Sequence, residues 1–182
     1  MDLNLDIRQE KYWKMLQFFA RLACLSVPLY IIIAFAVDLS ALQLIVAGNS
    51  AWLLSALGSQ VTQQGALVQV GDFSFLITPD CTAWKSFLFL FGLLFAVPAV
   101  LLRRRLIGLA IGIPVLWLTN LLRIVSAAYS SQAWGLEAGQ LLHDFWWELG
   151  MTATVLAVWV AWLQLSGAHL KPILTLKNKN KP

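Results

Sequence analysis

Charged residues are scarce in this sequence, since Asp, Glu, Lys and Arg together make up only 12% of its 182 residues. That share is about half the share found in an ordinary soluble domain. Hydrophobic residues make up 59%, which is more apolar surface than a soluble chain of this length can bury in one core. We therefore expect lipid to be the solvent for most of the chain.

Cysteine and histidine are equally sparse, with two of each. Cys24 and Cys81 fall at different membrane depths in the topology that the charges predict, so Cys81 is treated as a free thiol. A membrane thiol oxidoreductase is disfavoured, because its chemistry needs paired cysteines on the outer side. His143 and His169 fall on opposite sides of the membrane, and the sequence predicts neither a metal site nor a cofactor.

The positive charges are clustered along the chain. Lys and Arg are absent from two long stretches, residues 22–82 and 125–170. The basic clusters are too evenly spaced for a nucleic-acid patch, so no nucleic-acid partner is expected, and they follow the positive-inside rule instead. Both chain ends are therefore predicted to be cytoplasmic, together with a loop at Arg103 to Arg105 and a basic tail at residues 171–182.

Four apolar segments have the roughly 20 residues needed to cross the hydrocarbon core of a bilayer. These predicted spans are residues 16–37, 82–102, 106–129 and 145–165. Residues 39–57 are apolar as well, but a fifth span here would place the basic start of the chain and the triple-arginine loop on opposite sides of the membrane. We interpret this segment as a helix that lies in the outer interface or dips into it.

A short β-hairpin is predicted over residues 66–77, where apolar and polar residues partly alternate around Gly71 and Asp72. The predicted fold is an all-α polytopic membrane protein, with a single integral membrane domain over residues 1–182. It has about four transmembrane helices, one interfacial helix and the hairpin on the outer side. The expected location is the cytoplasmic (inner) membrane, with the first apolar run retained as an anchor.

Three residues of unusual chemistry fall on the outer side of this topology. Cys81 directly precedes the second predicted span, and His143 directly precedes the fourth. Arg123 lies roughly 26 Å from the start of the third span at a rise of about 1.5 Å per residue. The hydropathy pattern alone does not require these three residues to share one side of the membrane.

Cys81 follows Pro79 and Asp80 and precedes Thr82, a pattern typical of a helix N-terminus. Free backbone N–H groups and the helix dipole would favour a thiolate there, while the carboxylate of Asp80 would oppose it. The alternative is a small buried apolar residue, which is the common role of a free cysteine.

Arg123 is the strongest anomaly. A guanidinium inside an apolar span costs about 2.5–3.5 kcal/mol at mid-helix and less near the helix end, and an arginine at an outer end runs against the positive-inside preference. Asn120 lies three residues earlier on the same helical face, so the two form a polar stripe directed into the bundle. The alternative is an arginine that snorkels to the outer surface. His143 also has two interpretations: it caps a helix beside Asp144, or its neutral imidazole takes a proton from Cys81.

Trp84 and Lys85 lie one turn into the second predicted span. Lys85 either snorkels to the outer interface or adds positive potential near Cys81. Other tryptophans near the outer ends of the spans are predicted to form an interfacial aromatic belt; these are Trp134, Trp146 and Trp147.

A thiol nucleophile needs a base, and a developing oxyanion needs a positive donor. The candidate residues occur in three motifs: Asp80-Cys81-Thr82-Ala83-Trp84-Lys85, then Asn120-Leu121-Leu122-Arg123-Ile124, then His143. In this order and with this membrane placement, the sequence resembles the exosortase/archaeosortase family over roughly residues 68–165. That family often has glycine two residues after the cysteine, where this chain has Ala83.

The resemblance implies a multipass membrane cysteine peptidase and transpeptidase. Its substrates would be proteins with a C-terminal sorting signal made of a short motif, a transmembrane helix and a basic tail. By this similarity, Cys81 would be the nucleophile that forms a thioester, Arg123 would stabilise the carbonyl oxygen, and His143 would act as base and acid. The supporting positions are Asn120, Asp80, Lys85 and Trp84.

A second hypothesis is a non-catalytic protein for membrane assembly or interaction, in which Arg123 is a structural polar contact. The two hypotheses differ in what they predict for Cys81→Ala. Loss of substrate processing at a normal protein level supports the enzyme, and retained processing contradicts it.

The topology predicts that a membrane-impermeant thiol reagent added from outside labels Cys81 and leaves Cys24 unmodified. Cys81 is expected at the outer surface, whereas Cys24 lies within the first apolar span. Mass spectrometry of the two cysteine-containing peptides measures the labelled fraction of each. Labelling of Cys24 alone would contradict the predicted orientation.

Overall fold

The computed structural model describes residues 2–98 and 100–166 of the chain. Within these residues it has six α-helices and one small β-sheet. This architecture confirms the predicted mainly α-helical fold class. His169 and the tail at residues 171–182, which is predicted to be basic and cytoplasmic, lie outside the described residues.

Three helices of the described part are long and apolar enough to cross a membrane. One lies within α1 (Asp2–Ala34), and another is α4 (Leu102–Trp134). The third runs from Leu136 to Leu165. It consists of α5 (Leu136–Phe145), a π-helical turn (Trp146–Gly150) and α6 (Met151–Leu165). These helices account for the predicted spans at residues 16–37, 106–129 and 145–165.

The remaining predicted span is shorter in the structure. Helix α3 covers Trp84–Ala96, which is about 20 Å at a rise of about 1.5 Å per residue, against roughly 30 Å for a bilayer core. Helix α3 is therefore shorter at both ends than the predicted span of about residues 82–102. At the C-terminal end, Val97 is extended (φ −64°, ψ 119°), because the ring of Pro98 disfavours a helical conformation in the residue before it.

The sequence predicts a loop at the three arginines that follow α3. In the structure they lie in the first turn of α4 instead. Arg105 folds back onto α3, where its guanidinium donates to the carbonyl oxygens of Phe95 (3.1 Å) and Val97 (2.9 Å). A cation is favourable there, because the last carbonyls of a helix have no intrahelical donor. The indole N–H of Trp162 in α6 donates to the carbonyl oxygen of Arg104 (2.8 Å), which ties α6 to the same end of the bundle.

Helix α2 (Ser40–Ala56) forms where an interfacial helix is predicted. Its first turn is stabilised by Asp38, whose carboxylate accepts hydrogen bonds from the backbone N–H (2.8 Å) and the hydroxyl (3.1 Å) of Ser40. One face of α2 is buried against the sheet and α4, while Trp52 on another face is 71% exposed. An exposed indole on an apolar helix suits the boundary between lipid and water.

A three-stranded antiparallel sheet connects α2 to α3, in the order β1 (Val61–Gln64), β2 (Leu67–Val70) and β3 (Phe73–Leu76). Strands β2 and β3 are the predicted hairpin, with Gly71 at φ +58° in the two-residue turn between them. Strand β1 was not predicted. Its sequence, VTQQ, is short and mostly polar, so it carries no alternating pattern that would indicate a strand.

Two apolar clusters meet at the segment between β3 and α3. The first joins α2, the sheet and the C-terminal half of α4, and the second joins α3, α4 and α6. Cys81 packs against the first cluster, and Ala83 belongs to the second. The short segment that carries both residues is thus held from two sides, which restricts the positions open to the Cys81 side chain.

Gly139 brings α5 into close contact with α4. A Cβ atom at this position would collide with the hydroxyl of Ser131 and lie 2.8 Å from the backbone carbonyl oxygen of Ala127. A hydroxyl can rotate away, but the backbone of α4 cannot, so glycine is required for this close approach. His143 follows one turn later on α5, and its position therefore depends on Gly139.

Gly139→Ala is expected to destabilise the protein by about 1–3 kcal/mol, the usual cost of overpacking, because the added methyl group forces α5 away from α4. Thermal unfolding in detergent, followed by tryptophan fluorescence, measures the change in Tm. Gln140→Ala is the matched control, since Gln140 is exposed on the same helix. Equal losses of Tm in the two variants would contradict this account.

Candidate active site

Cys81 lies in a single 3₁₀ turn, Pro79–Thr82, between β3 and α3. The backbone N–H of Cys81 donates to the carbonyl oxygen of Thr78 (2.9 Å), and α3 begins only at Trp84. The prediction that Cys81 occupies a helix N-terminus with free N–H groups is therefore wrong. Neighbouring side chains, rather than a helix dipole, must account for the properties of its thiol.

The turn is closed by hydrogen bonding and by an unusual backbone conformation. The hydroxyl of Thr82 donates to the carbonyl oxygen of Pro79 (2.7 Å). Ala83 then has φ +59°, a left-handed conformation that costs a residue with a Cβ about 1–2 kcal/mol and suits glycine better. Glycine in place of Ala83 would therefore adopt this conformation at lower cost.

Arg123 is buried on α4, with only 1% of its surface exposed, so it does not snorkel to a surface. Its Nε, Nη1 and Nη2 atoms have no well-formed hydrogen bond to any described residue. The guanidinium carbon lies 4.9 Å from the ring centre of Trp147, which is a cation–π contact. A buried guanidinium with open donors is a site for an oxygen ligand.

Asn120 lies one turn before Arg123 on the same face of α4 and is 1% exposed. Its side-chain amide donates to the backbone carbonyl oxygen of Cys81 (2.8 Å). This bond fixes the Cys81 turn against α4. The predicted polar stripe of α4 is therefore directed at the cysteine.

His143 lies on α5 and is partly buried. Its Nδ1 atom is 3.2 Å from Oδ1 of Asp144, and its ring also interacts with the thiol of Cys81. Because Asp144 occupies Nδ1, Nε2 is the nitrogen left for the sulfur, and in a neutral ring that nitrogen is the acceptor. The imidazole of His143 thus interacts with both Asp144 and the thiol of Cys81.

The surroundings of Cys81 favour its thiolate. Burial raises the pKa of the thiol, but hydrogen bonds with His143 and Thr78 and the charge of Arg123 outweigh burial and lower that pKa to about 7. The Thr78 hydroxyl is 3.4 Å from the sulfur. A large fraction of Cys81 is therefore thiolate at neutral pH, and the thiolate is the nucleophilic form.

Asp80 and Lys85 form an ion pair beside the Cys81 turn, with 2.6 Å between Oδ1 and Nζ. Both side chains reach solvent, so the pair contributes at most about 1 kcal/mol to stability. The ammonium of Lys85 is matched by this carboxylate, which limits its effect on the potential at Cys81. Trp84 is buried at the start of α3, and its ring centre is 5.8 Å from the same ammonium.

Thr78 and Trp147 belong to the site, although the sequence did not indicate a role for Thr78 and assigned Trp147 to the aromatic belt. Trp147 lies four residues after His143 in a continuous helical segment, a spacing that places both on one face. That spacing was the signal available for Trp147. Thr78 offers none, because hydroxyl residues are common in turns.

Residues 2–98 and 100–166 contain no group of three His, Cys, Asp or Glu side chains that could hold a metal ion. The sequence model of one protein family, described as transmembrane exosortase, matches residues 8–163. No curated protein and no solved structure matches the chain. The matched range includes every residue of the candidate site.

Alkylation of Cys81 by iodoacetamide is expected to reach half its maximal rate near pH 7, because the surroundings of the thiol lower its pKa to about 7. The rate falls as the pH drops through this value, because the thiolate becomes protonated. Thr78→Val removes a hydrogen bond to the sulfur and should move the midpoint upward. Rates are measured by mass spectrometry in a Cys24→Ala background. A Thr78→Val midpoint at or below that of the parent would contradict the assignment.

Proposed function

Because this chain belongs to the transmembrane exosortase family, we propose that it is a membrane-embedded cysteine peptidase and transpeptidase. It cleaves the C-terminal sorting signals of exported proteins at the outer side of the cytoplasmic membrane, with both chain termini in the cytoplasm. One observation carries the proposal: Cys81, Arg123 and His143 come from a turn, α4 and α5 and interact around a single thiol.

Cys81 is the proposed nucleophile. Its sulfur attacks the carbonyl carbon of the scissile peptide bond, and Nε2 of His143 takes the proton from any Cys81 that is still a thiol. A thiol pKa of about 7 provides the thiolate without making it a poor nucleophile. The attack gives a tetrahedral intermediate with a negative charge on the former carbonyl oxygen.

Arg123 is the proposed donor to this oxyanion. Its N–H groups have no well-formed hydrogen bond to the described residues and are already buried beside the thiol, so little reorganisation is needed when the charge develops. Removing one donor of this kind typically costs about 10²–10³ in kcat. Lys85 is less suited to the role, because its ammonium is paired with Asp80.

His143 then acts as the acid. Its imidazolium donates a proton to the leaving amine, the C–N bond breaks, and the acyl group remains on Cys81 as a thioester. An amine acceptor that attacks the thioester forms a new amide and releases the thiol, whereas water in its place forms a carboxylic acid. Asn120 holds the backbone of the nucleophile, and Asp144 orients the imidazole.

The proposed substrates carry a short motif, a transmembrane helix and a basic tail, and they approach through the lipid bilayer. A cleft of about 350 Å³ supports such access. It lies between α1, α3 and the start of α6, and Lys85 and Trp147 line it beside the active site. Small or hydroxylic residues on its walls permit close approach of another helix; these include Ser26, Ser86, Gly92 and Thr152.

Cys81→Ala is expected to abolish processing of a sorting-signal protein at an unchanged level of the membrane protein, because no thioester can form. Immunoblotting for precursor and product in membranes measures the processed fraction. Cys24→Ala is the control with normal processing, since Cys24 is an exposed residue of α1 and belongs to none of the three motifs. Processing by the Cys81→Ala variant would refute the proposed function.

Arg123→Lys is expected to reduce processing by about 10²–10³ while changing Tm far less. Lysine keeps the charge but lacks the planar fork that holds an oxygen with two donors. The processed fraction and Tm are measured on the same preparations. Normal processing by Arg123→Lys would rule out the oxyanion role.

A further inference from the structure

Trp147 contacts two cations of the site. Its ring centre is 4.9 Å from the guanidinium carbon of Arg123 and 5.6 Å from Nζ of Lys85. Lys85 has a second partner in Asp80. For Arg123, by contrast, the described residues supply no well-formed hydrogen bond to any of the three side-chain nitrogens. Besides the thiol that it faces, the guanidinium thus has the indole of Trp147 as a close partner.

The backbone that carries Trp147 is also unusual. Trp146–Gly150 is a π-helical turn within a segment that is otherwise α-helical, and such turns are frequent at functional sites. The adjacent Trp146 has a different environment. Its ring packs edge-on against Phe145, with 6.5 Å between centres, and covers Gly150, where a Cβ atom would collide with it. The two tryptophans therefore provide a matched pair, in which Trp147 lies against Arg123 and Trp146 lies against Phe145 and Gly150.

We propose that Trp147 is a positioning residue, whose indole holds the guanidinium of Arg123 beside Cys81 and leaves its N–H donors free for the substrate oxygen. The inference rests on the proposed function of these two residues. A carboxylate partner would occupy the fork of the arginine and match its charge. An aromatic face attracts the cation without accepting those hydrogen bonds. The indole is thus suited to fixing a donor that must remain unoccupied.

Trp147 should influence the thiol of Cys81 only through Arg123. The thiolate is stabilised by the nearby guanidinium, so a guanidinium that is no longer held would stabilise it less. Several charged or titratable groups surround the thiol from different elements; they are Asp80 in the turn, Lys85 on α3, Arg123 on α4, and His143 and Asp144 on α5. Among them, the cationic groups of Arg123 and Lys85 lie against the ring of Trp147.

The test uses the full-length protein in detergent and iodoacetamide as the probe of Cys81, in the Cys24→Ala background. Trp147→Leu should move the alkylation midpoint upward from about 7 toward about 8.5, the value of an unperturbed thiol. Trp147→Phe keeps an aromatic face and should show a smaller shift. Trp146→Leu should leave the midpoint in place, and Tm reports whether each variant is folded.

The decisive comparison repeats Trp147→Leu in an Arg123→Gln background. If Trp147 acts through Arg123, the second substitution adds no further shift, as expected for two coupled residues. An unchanged midpoint in Trp147→Leu overturns the proposal, and so does an equal additional shift in the Arg123→Gln background. If Trp147→Leu does not fold, Trp147→Phe takes its place in the test. The proposal then requires that Trp147→Phe shifts the midpoint in the parent and does not shift it in the Arg123→Gln background.

Alkylation requires no substrate, so these results are independent of whether the chain cleaves sorting signals. Processing by the Cys81→Ala variant would refute the proposed function. It would not affect the coupling of Trp147 to Arg123, which the alkylation midpoints measure separately. Conversely, a normal midpoint in Trp147→Leu would remove the positioning role alone. In the supporting case, Trp147→Leu also lowers the processed fraction, and Trp147→Phe restores part of it.

Discussion

The burial of Arg123 is the constraint on which the rest of the site depends. Placing a guanidinium in a transmembrane helix costs about 2.5–3.5 kcal/mol at the centre of the span, and less toward the outer end where Arg123 is predicted to lie. The described residues offer it no well-formed hydrogen bond, and a desolvated cation–π contact such as that with Trp147 offsets about 2 kcal/mol. The remaining donors are stabilised when an oxygen carries negative charge, which is the situation of a tetrahedral intermediate.

The surrounding structure keeps the nucleophile close to this charge. The Cys81 turn is held by its hydrogen bond to Thr78 on one side and by the amide of Asn120 on the other. Gly139 allows α5 to approach α4 closely, so His143 reaches the same thiol. The contacts made by Asn120 and at Gly139 each join two different elements, and the site is therefore as rigid as the packing of the turn, α4 and α5.

Part of this arrangement could be predicted from the sequence, and the errors have physical causes. Apolar spans follow from composition, but a helix also needs a suitable backbone at its ends. Pro98 and the left-handed Ala83 shortened α3, and neither effect is visible in hydropathy. Arg105 pairs with the end of α3 instead of lying in a loop. Strand β1 was missed because pairing with β2, rather than its own pattern, stabilises it.

The sequence by itself determined that this chain needs lipid, because its apolar content exceeds what one soluble core can bury. It also determined the types and order of the reactive residues, since the three motifs are local. Only the tertiary structure decided that Cys81, Arg123 and His143 meet, and that Trp147 faces the arginine. Contacts between residues so distant in the chain depend on how helices pack, and the hydropathy of each segment carries no information about that packing.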